Sequence, residues 1–302
     1  MKIINVNLLG NNNMVLRGYV HEDEWTRPAI IVCPGGGYMF LTPHESDQTA
    51  MSYYGCGYNA FVCEYPIREE AIYPEPQIAA LSAIYYVRNH AKEWNVISNN
   101  IAIAGFSAGA HVAVCAGTLY NDENIINSMN TRLNSLSESD HDNTKGFNES
   151  VITAEIIKPD AMVLIYPCIG VDIPGYTDCD GNTGVLRCDK LVDCDTPPAF
   201  IVSSFGDKLV SCNQSLNMAR ALSDKDVPFE LHIFEPGDHG ALNSDAMSDN
   251  EFSARRIGKE SWFGLSIEWL RDRFDPDKGF GKNITKDGRI KDDYFKLELM
   301  GG

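Results

Sequence analysis

The pentapeptide Gly105-Phe106-Ser107-Ala108-Gly109 constrains this 302-residue chain more than any other stretch. It follows Ile101-Ala102-Ile103-Ala104, a short, apolar, partly β-branched run of the kind that forms a buried strand. It precedes residues 110–119, mostly small and apolar, which can form a buried helix. A serine between two glycines at such a junction predicts a sharp strand-to-helix turn, because glycine lets the backbone approach closely and turn tightly. The turn lifts the Ser107 hydroxyl clear of the sheet. The amino end of the helix then points backbone N–H groups at any negative charge forming there.

Elsewhere the chain alternates strand-like and helix-like segments. Residues 29–33, 59–65, 160–166, 199–204 and 229–234 read as strands, and 45–54, 77–94, 213–222 and 262–274 as helices. This alternation predicts an α/β fold: a doubly wound, mostly parallel sheet with helices on both faces. Segments 2–9 and 14–20 predict an antiparallel amino-terminal edge hairpin. We read 1–275 as a single domain. Two stretches break its rhythm. Residues 121–151, rich in Asn, Ser, Asp and Glu, read as a mobile insertion. Residues 170–198 read as an irregular cap segment over the site. The polar tail 276–302 reads as a surface segment or a contact for a second copy of the chain, a homo-oligomer.

Hydrophobic residues make up 44% of the chain and charged residues 22%, as in soluble globular enzymes. The formal net charge of −17 argues against nucleic acid or an anionic membrane surface as a partner. No apolar run approaches a membrane span, and the amino terminus lacks a signal peptide's apolar core. The nine cysteines are an odd number, and Cys33, Cys63 and Cys115 lie inside apolar segments, so buried free thiols and a cytoplasmic location are expected. Cys179, Cys188 and Cys194 cluster without paired zinc-ligand spacing, and Asp178-Cys179-Asp180-Gly181 lacks the further ligands of a calcium loop. No metal and no cofactor is therefore expected.

A serine hydroxyl is a poor nucleophile unless a base lies within hydrogen-bond reach and an acid orients that base. In doubly wound α/β enzymes with such a serine turn, the chain order is serine, acid, histidine. His239, in Gly237-Asp238-His239-Gly240 after the strand ending at Phe234, fits the base. Asp207, directly after the strand 199–204, fits the acid, although an aspartate there also suits a cap. Asp238 is a weaker rival, and Asp160 precedes its strand at the wrong end of the sheet. An oxyanion formed at Ser107 needs backbone donors. Ala108 follows the serine, and Gly36 and Gly37 lie in the glycine turn Pro34-Gly35-Gly36-Gly37-Tyr38 after the strand 29–33. Tyr38 reads as a substrate contact. His111, four residues past Ser107, reads as a packing or hydrogen-bonding residue. Trp94, Trp262 and Trp269 read as core.

These residues resemble the α/β-hydrolase superfamily over most of the chain. More narrowly, the chain is similar to the bacterial esterase/lipase group that contains intracellular acetyl-xylan-type carbohydrate esterases. The segments that carry the resemblance are Cys33 to Tyr38, Gly105 to His111, Thr196-Pro197-Pro198-Ala199-Phe200, Asp207 and Gly237 to Gly240. Pro34 stands where related esterases often carry histidine, and Ser211 follows Val210 where many have proline. The resemblance implies a Ser107–His239–Asp207 triad and hydrolysis of a small carboxylic ester, such as an acetyl ester of a sugar or xylo-oligosaccharide. An amide hydrolase of aminopeptidase or formamidase type, and a non-catalytic binding protein on the same fold, are the alternatives.

Overall fold

The computed structural model describes residues 1–136, 151–178, 181, 183–243 and 262–274. Eight strands form one sheet: β1 (Lys2–Asn7), β2 (Val15–Val20), β3 (Arg27–Cys33), β4 (Asn59–Glu64), β5 (Val96–Phe106), β6 (Ala161–Ile165), β9 (Ala199–Ser204) and β10 (Phe229–Phe234). Their order across the sheet is β1-β2-β4-β3-β5-β6-β9-β10. β1 and β2 form the antiparallel edge pair expected from the sequence, and β2 joins β4 antiparallel. Every later pairing is parallel.

Side chains alternate across a strand, so each central strand feeds two cores. Ile31, Ile103, Leu164 and Ile201 point into one, packed under α2 (Glu75–Asn89), α3 (Ala108–Thr118) and α6 (Asn213–Ser223). Ile30, Val32, Ala104, Val163 and Val202 point into the other, packed under α1 (Asp47–Gly55) and α7 (Phe263–Phe274). Burial on both faces explains why these strands are continuous apolar runs. Trp94, Trp262 and Trp269 are buried, as expected.

Two expectations are corrected. Residues 121–151 do not form a structureless insertion throughout, because Glu123–Ser135 is a helix, α4. The Asp122 side chain caps it, accepting from the N–H groups of Asn124 at 2.8 Å and Ile125 at 3.1 Å. Ile125 and Met129, four apart, are buried, and Arg132 pairs with Glu75 on α2. The polar composition hid a narrow apolar stripe at helical spacing. Residues 137–150 of that stretch lie outside the described residues. After it come the single-turn α5 (Ala154–Ile157) and β6. The segment 170–198 is not irregular either. It holds an antiparallel hairpin, β7 (Gly170–Thr177) with β8 (Thr183–Arg187). Gln214 Oε1 on α6 accepts from the Ile169 N–H at 2.6 Å, and the Tyr73 N–H donates to Pro174 O at 2.8 Å, so the start and the middle of β7 are tied to the body. The tail 276–302 lies outside the described residues, and no described helix is long and apolar enough to cross a membrane.

Candidate active site

Ligands of open parallel sheets bind beyond the carboxyl ends of the strands, and the predicted site residues gather there. Ser107 sits between β5 and α3 with φ 51° and ψ −118°, a sparsely populated conformation costing about 1–3 kcal/mol. Its N–H donates to Ile165 O at 3.0 Å, and its carbonyl accepts from the Cys168 N–H at 3.1 Å, so β6 holds the turn. The two motif glycines make the turn sterically feasible. A Cβ on Gly105 would lie 2.3 Å from Gly109 O, and one on Gly109 would lie 2.1 Å from Cys33 O.

Asp207 follows β9 and His239 follows β10. Ser107 Oγ lies 2.9 Å from His239 Nε2, and His239 Nδ1 lies 2.8 Å from Asp207 Oδ2. The Nδ1–H donates to the carboxylate, which leaves Nε2 unprotonated and facing the hydroxyl. An imidazole so placed can take the hydroxyl proton during attack. The helix-cap reading of Asp207 is corrected: its other oxygen, Oδ1, accepts from the Leu209 N–H at 2.9 Å and the Val210 N–H at 2.8 Å, but these belong to the loop after β9, and α6 begins only at Asn213 with Cys212 before it. The carboxylate is thereby fixed, and its side chain is only 1% exposed. Asp238 is turned away and accepts from the backbone N–H groups of His239 and Lys208. Asp160 lies at the opposite, amino end of the strands, just before β6, bound to Arg88.

The glycine turn abuts the serine: a Cβ on Gly35 would be 3.1 Å from Ser107 Cβ. The Gly35 N–H donates to the Glu45 carboxylate at 2.6 Å. The N–H groups of Gly36 and Gly37 donate to no described group. Ala108 is the first residue of α3, so its N–H precedes any helical acceptor. These are the three N–H groups that the sequence offers as oxyanion donors. Tyr38 departs from expectation. Its ring is buried beside Tyr65 and His111, and its hydroxyl lies 2.7 Å from His111 Nδ1. The Tyr38 side chain is thus committed to the core rather than turned to substrate.

His111, Cys115 and Cys188 form a buried cluster of potential soft-metal ligands. However, His111 Nδ1 meets the Tyr38 hydroxyl, and Nε2 meets Leu186 O at 3.2 Å. Cys115 Sγ lies 3.9 and 3.8 Å from the two ring nitrogens and 3.3 Å from Cys188 Sγ. Both imidazole nitrogens are thus already met by protein groups, the Tyr38 hydroxyl and the Leu186 carbonyl. Cys168, beside Ser107, is no rival nucleophile: burial pushes its thiol up to about 11. A cavity of about 470 Å³, lined by Arg88, Asn89, Ser98 and Asp160 among others, lies at the amino edge of the sheet, away from Ser107. The Arg88 guanidinium there is already held by Ser98 O, Ile156 O, Lys158 O and Asp160.

Two residues of the site were not singled out from the sequence. Glu45 reads there as the first residue of a helix, and Tyr166 as the last of a strand. Neither carries a local motif. Only the preceding glycine turn, whose N–H groups need acceptors, hints at Glu45.

Residues 19–152 match the BD-FAE family model, and residues 184–255 match that of the prolyl oligopeptidase family. Among curated proteins, the chain is 28% identical over 258 residues to endo-1,4-beta-xylanase B of Butyrivibrio fibrisolvens, covering 81% of this chain and 36% of that protein. It is 26% identical over 231 residues to the acetylxylan esterase of Xylanibacter ruminicola, covering 70% of this chain and 40% of that protein. The chain therefore spans well under half the length of these relatives. Among solved structures, the acetyl ester-xyloside bifunctional hydrolase of Caldicellulosiruptor lactoaceticus superposes with a TM-score of 0.65 at 29% identity, covering 87% of this chain and 96% of that one. Sheet order, the serine turn and these likenesses give the chain an α/β-hydrolase fold. The proteins it is similar to include an acetylxylan esterase and an acetyl ester-xyloside hydrolase.

Proposed function

We propose that the chain is a serine esterase acting on small carboxylic esters, with acetyl esters of xylo-oligosaccharides as the leading class. The observation that carries this reading is the unbroken line from Ser107 Oγ through His239 to Asp207, with links of 2.9 and 2.8 Å. Ser107 attacks the ester carbonyl while His239 Nε2 takes its proton. Asp207 holds the imidazole in the correct tautomer and stabilises the imidazolium. The tetrahedral oxyanion is received by the N–H groups of Gly36, Gly37 and Ala108. His239 then protonates the departing alcohol, and water releases the acyl group by the same route. The names of the xylan-active relatives support the substrate class.

Amide hydrolysis is the second reading. It is favoured by the match of residues 184–255, which include Asp207 and His239, to the prolyl oligopeptidase family. The purified chain should hydrolyse p-nitrophenyl acetate and release acetate from acetylated xylo-oligosaccharides faster than it cleaves aminoacyl anilides. Ser107→Ala should lower kcat by at least about 10³-fold. Wild-type turnover by that variant would overturn the nucleophile assignment, and preferential cleavage of anilides would overturn the ester reading.

A further inference from the structure

We propose that Glu45 is a positioning residue that holds the glycine turn and, through Tyr166, the His239 ring, and whose carboxylate supports the imidazolium formed during attack. This rests on the Ser107 reading above.

Glu45 lies in a short turn before α1 and is 5% exposed. No described Lys or Arg pairs with it. A buried carboxylate without a cation is costly unless donors surround it. Here there are two. The Gly35 N–H donates to Oε2 at 2.6 Å, and the Tyr166 hydroxyl donates to Oε1. The first contact anchors the root of the glycine turn, leaving the next two N–H groups unspent. The second fixes Tyr166 at the end of β6. The Tyr166 N–H also donates to Val202 O at 2.6 Å, and its ring meets the His239 imidazole edge to face, with centroids 5.1 Å apart. One carboxylate therefore ties together the turn after β3, the end of β6 and the histidine carried after β10.

Burial pushes the Glu45 carboxyl upward, and the nearby His239 pulls it back, which makes the interaction reciprocal. A negative Glu45 favours the positive charge that forms on the imidazole during attack. The other groups facing His239 are Asp207 at Nδ1, Ser107 at Nε2, the Tyr166 phenol and the exposed Asp238, beside which lies Lys208. Those facing Glu45 are His239 and the Tyr65 and Tyr166 phenols.

Glu45→Gln removes the charge and keeps the shape. Its amide oxygen can accept from Gly35, and its NH₂ can donate to the Tyr166 oxygen. The expected result is a fall in kcat of about tenfold or more, with KM within about twofold. The acid limb of the kcat/KM profile should also move to lower pH, because His239 loses a neighbouring anion. Tyr166→Phe keeps the ring and should give the same direction with a smaller fall. Unchanged kcat and an unmoved acid limb in Glu45→Gln would overturn the proposal, as would a change confined to KM. If Glu45→Gln fails to fold, as judged by circular dichroism, Tyr166→Phe decides by the same two readouts. Labelling of Ser107 by a fluorophosphonate keeps the two readings apart. Absent labelling in the folded wild-type chain defeats the nucleophile assignment, whereas normal labelling with an unaltered Glu45→Gln profile defeats only the role of Glu45.

Discussion

Gly36 and Gly37 are adjacent in the chain, yet they carry different constraints. Gly36 adopts φ 127°, and a Cβ there would fall 2.0 Å from the backbone oxygen of Phe40. Gly37 adopts φ 62° and faces open space. Gly36→Ala must displace the turn, so kcat/KM should drop by about 10²-fold or more, as on loss of an oxyanion donor. Gly37→Ala pays only the left-handed strain of about 1–2 kcal/mol and should keep kcat/KM within about tenfold. Steady-state kinetics with thermal melts on both variants checks the contrast, and equal losses would count against it. The same scale shows the limits of motif reading. Asp207 was legible as either acid or helix cap; in the structure one oxygen meets His239 Nδ1 and the other ties the loop after β9, with no helix there to cap. Tyr38 was legible as a residue of the turn but not as one whose hydroxyl faces the core, because only α3 packing supplies His111 as its partner.

At the scale of elements, the helices and strands with a full apolar face could be read directly, and α4 could not. Its stability depends on a cap and a two-residue buried stripe rather than on composition. Asp122→Ala should therefore destabilise the chain by about 1 kcal/mol, read as a lower midpoint in urea with unchanged slope. Activity toward p-nitrophenyl acetate should not change, since α4 carries none of the site residues. The β7–β8 hairpin was equally hidden, because its strands are mostly exposed on one side and carry no long apolar run. Its position is set by Leu186 and Cys188, which bury themselves beside α3.

For the molecule as a whole, the two cores are rich in buried phenols. Tyr38, Tyr53, Tyr58, Tyr65 and Tyr166 are all held neutral by burial, which raises each above its ordinary value near 10. Above about pH 10 the unfolded chain ionises these groups while the native chain does not. The unfolded state then binds fewer protons, so the contribution of these phenols to stability is constant below that pH and is lost as pH rises through it. Spectrophotometric titration should show these phenols ionising together with loss of the far-ultraviolet dichroism, rather than at their normal value in a folded molecule. A smooth titration near pH 10 with the fold intact would contradict this.

The sequence by itself determined the layered α/β plan, the serine turn, and the order in which serine, acid and histidine occur. Each of these is written in neighbouring residues: a period of two or of 3.6, an apolar run ended by glycine or proline, a glycine pair around a serine. Tertiary structure decided which groups those residues meet. Gly35 and Glu45 share the connection after β3, Tyr166 follows β6 and His239 follows β10, and only the strand order β3-β5-β6-β9-β10 brings these three connections together at one end of the sheet. A hydrogen bond across strands depends on how the chain crosses between them, and a sequence pattern within one element holds no record of that crossing.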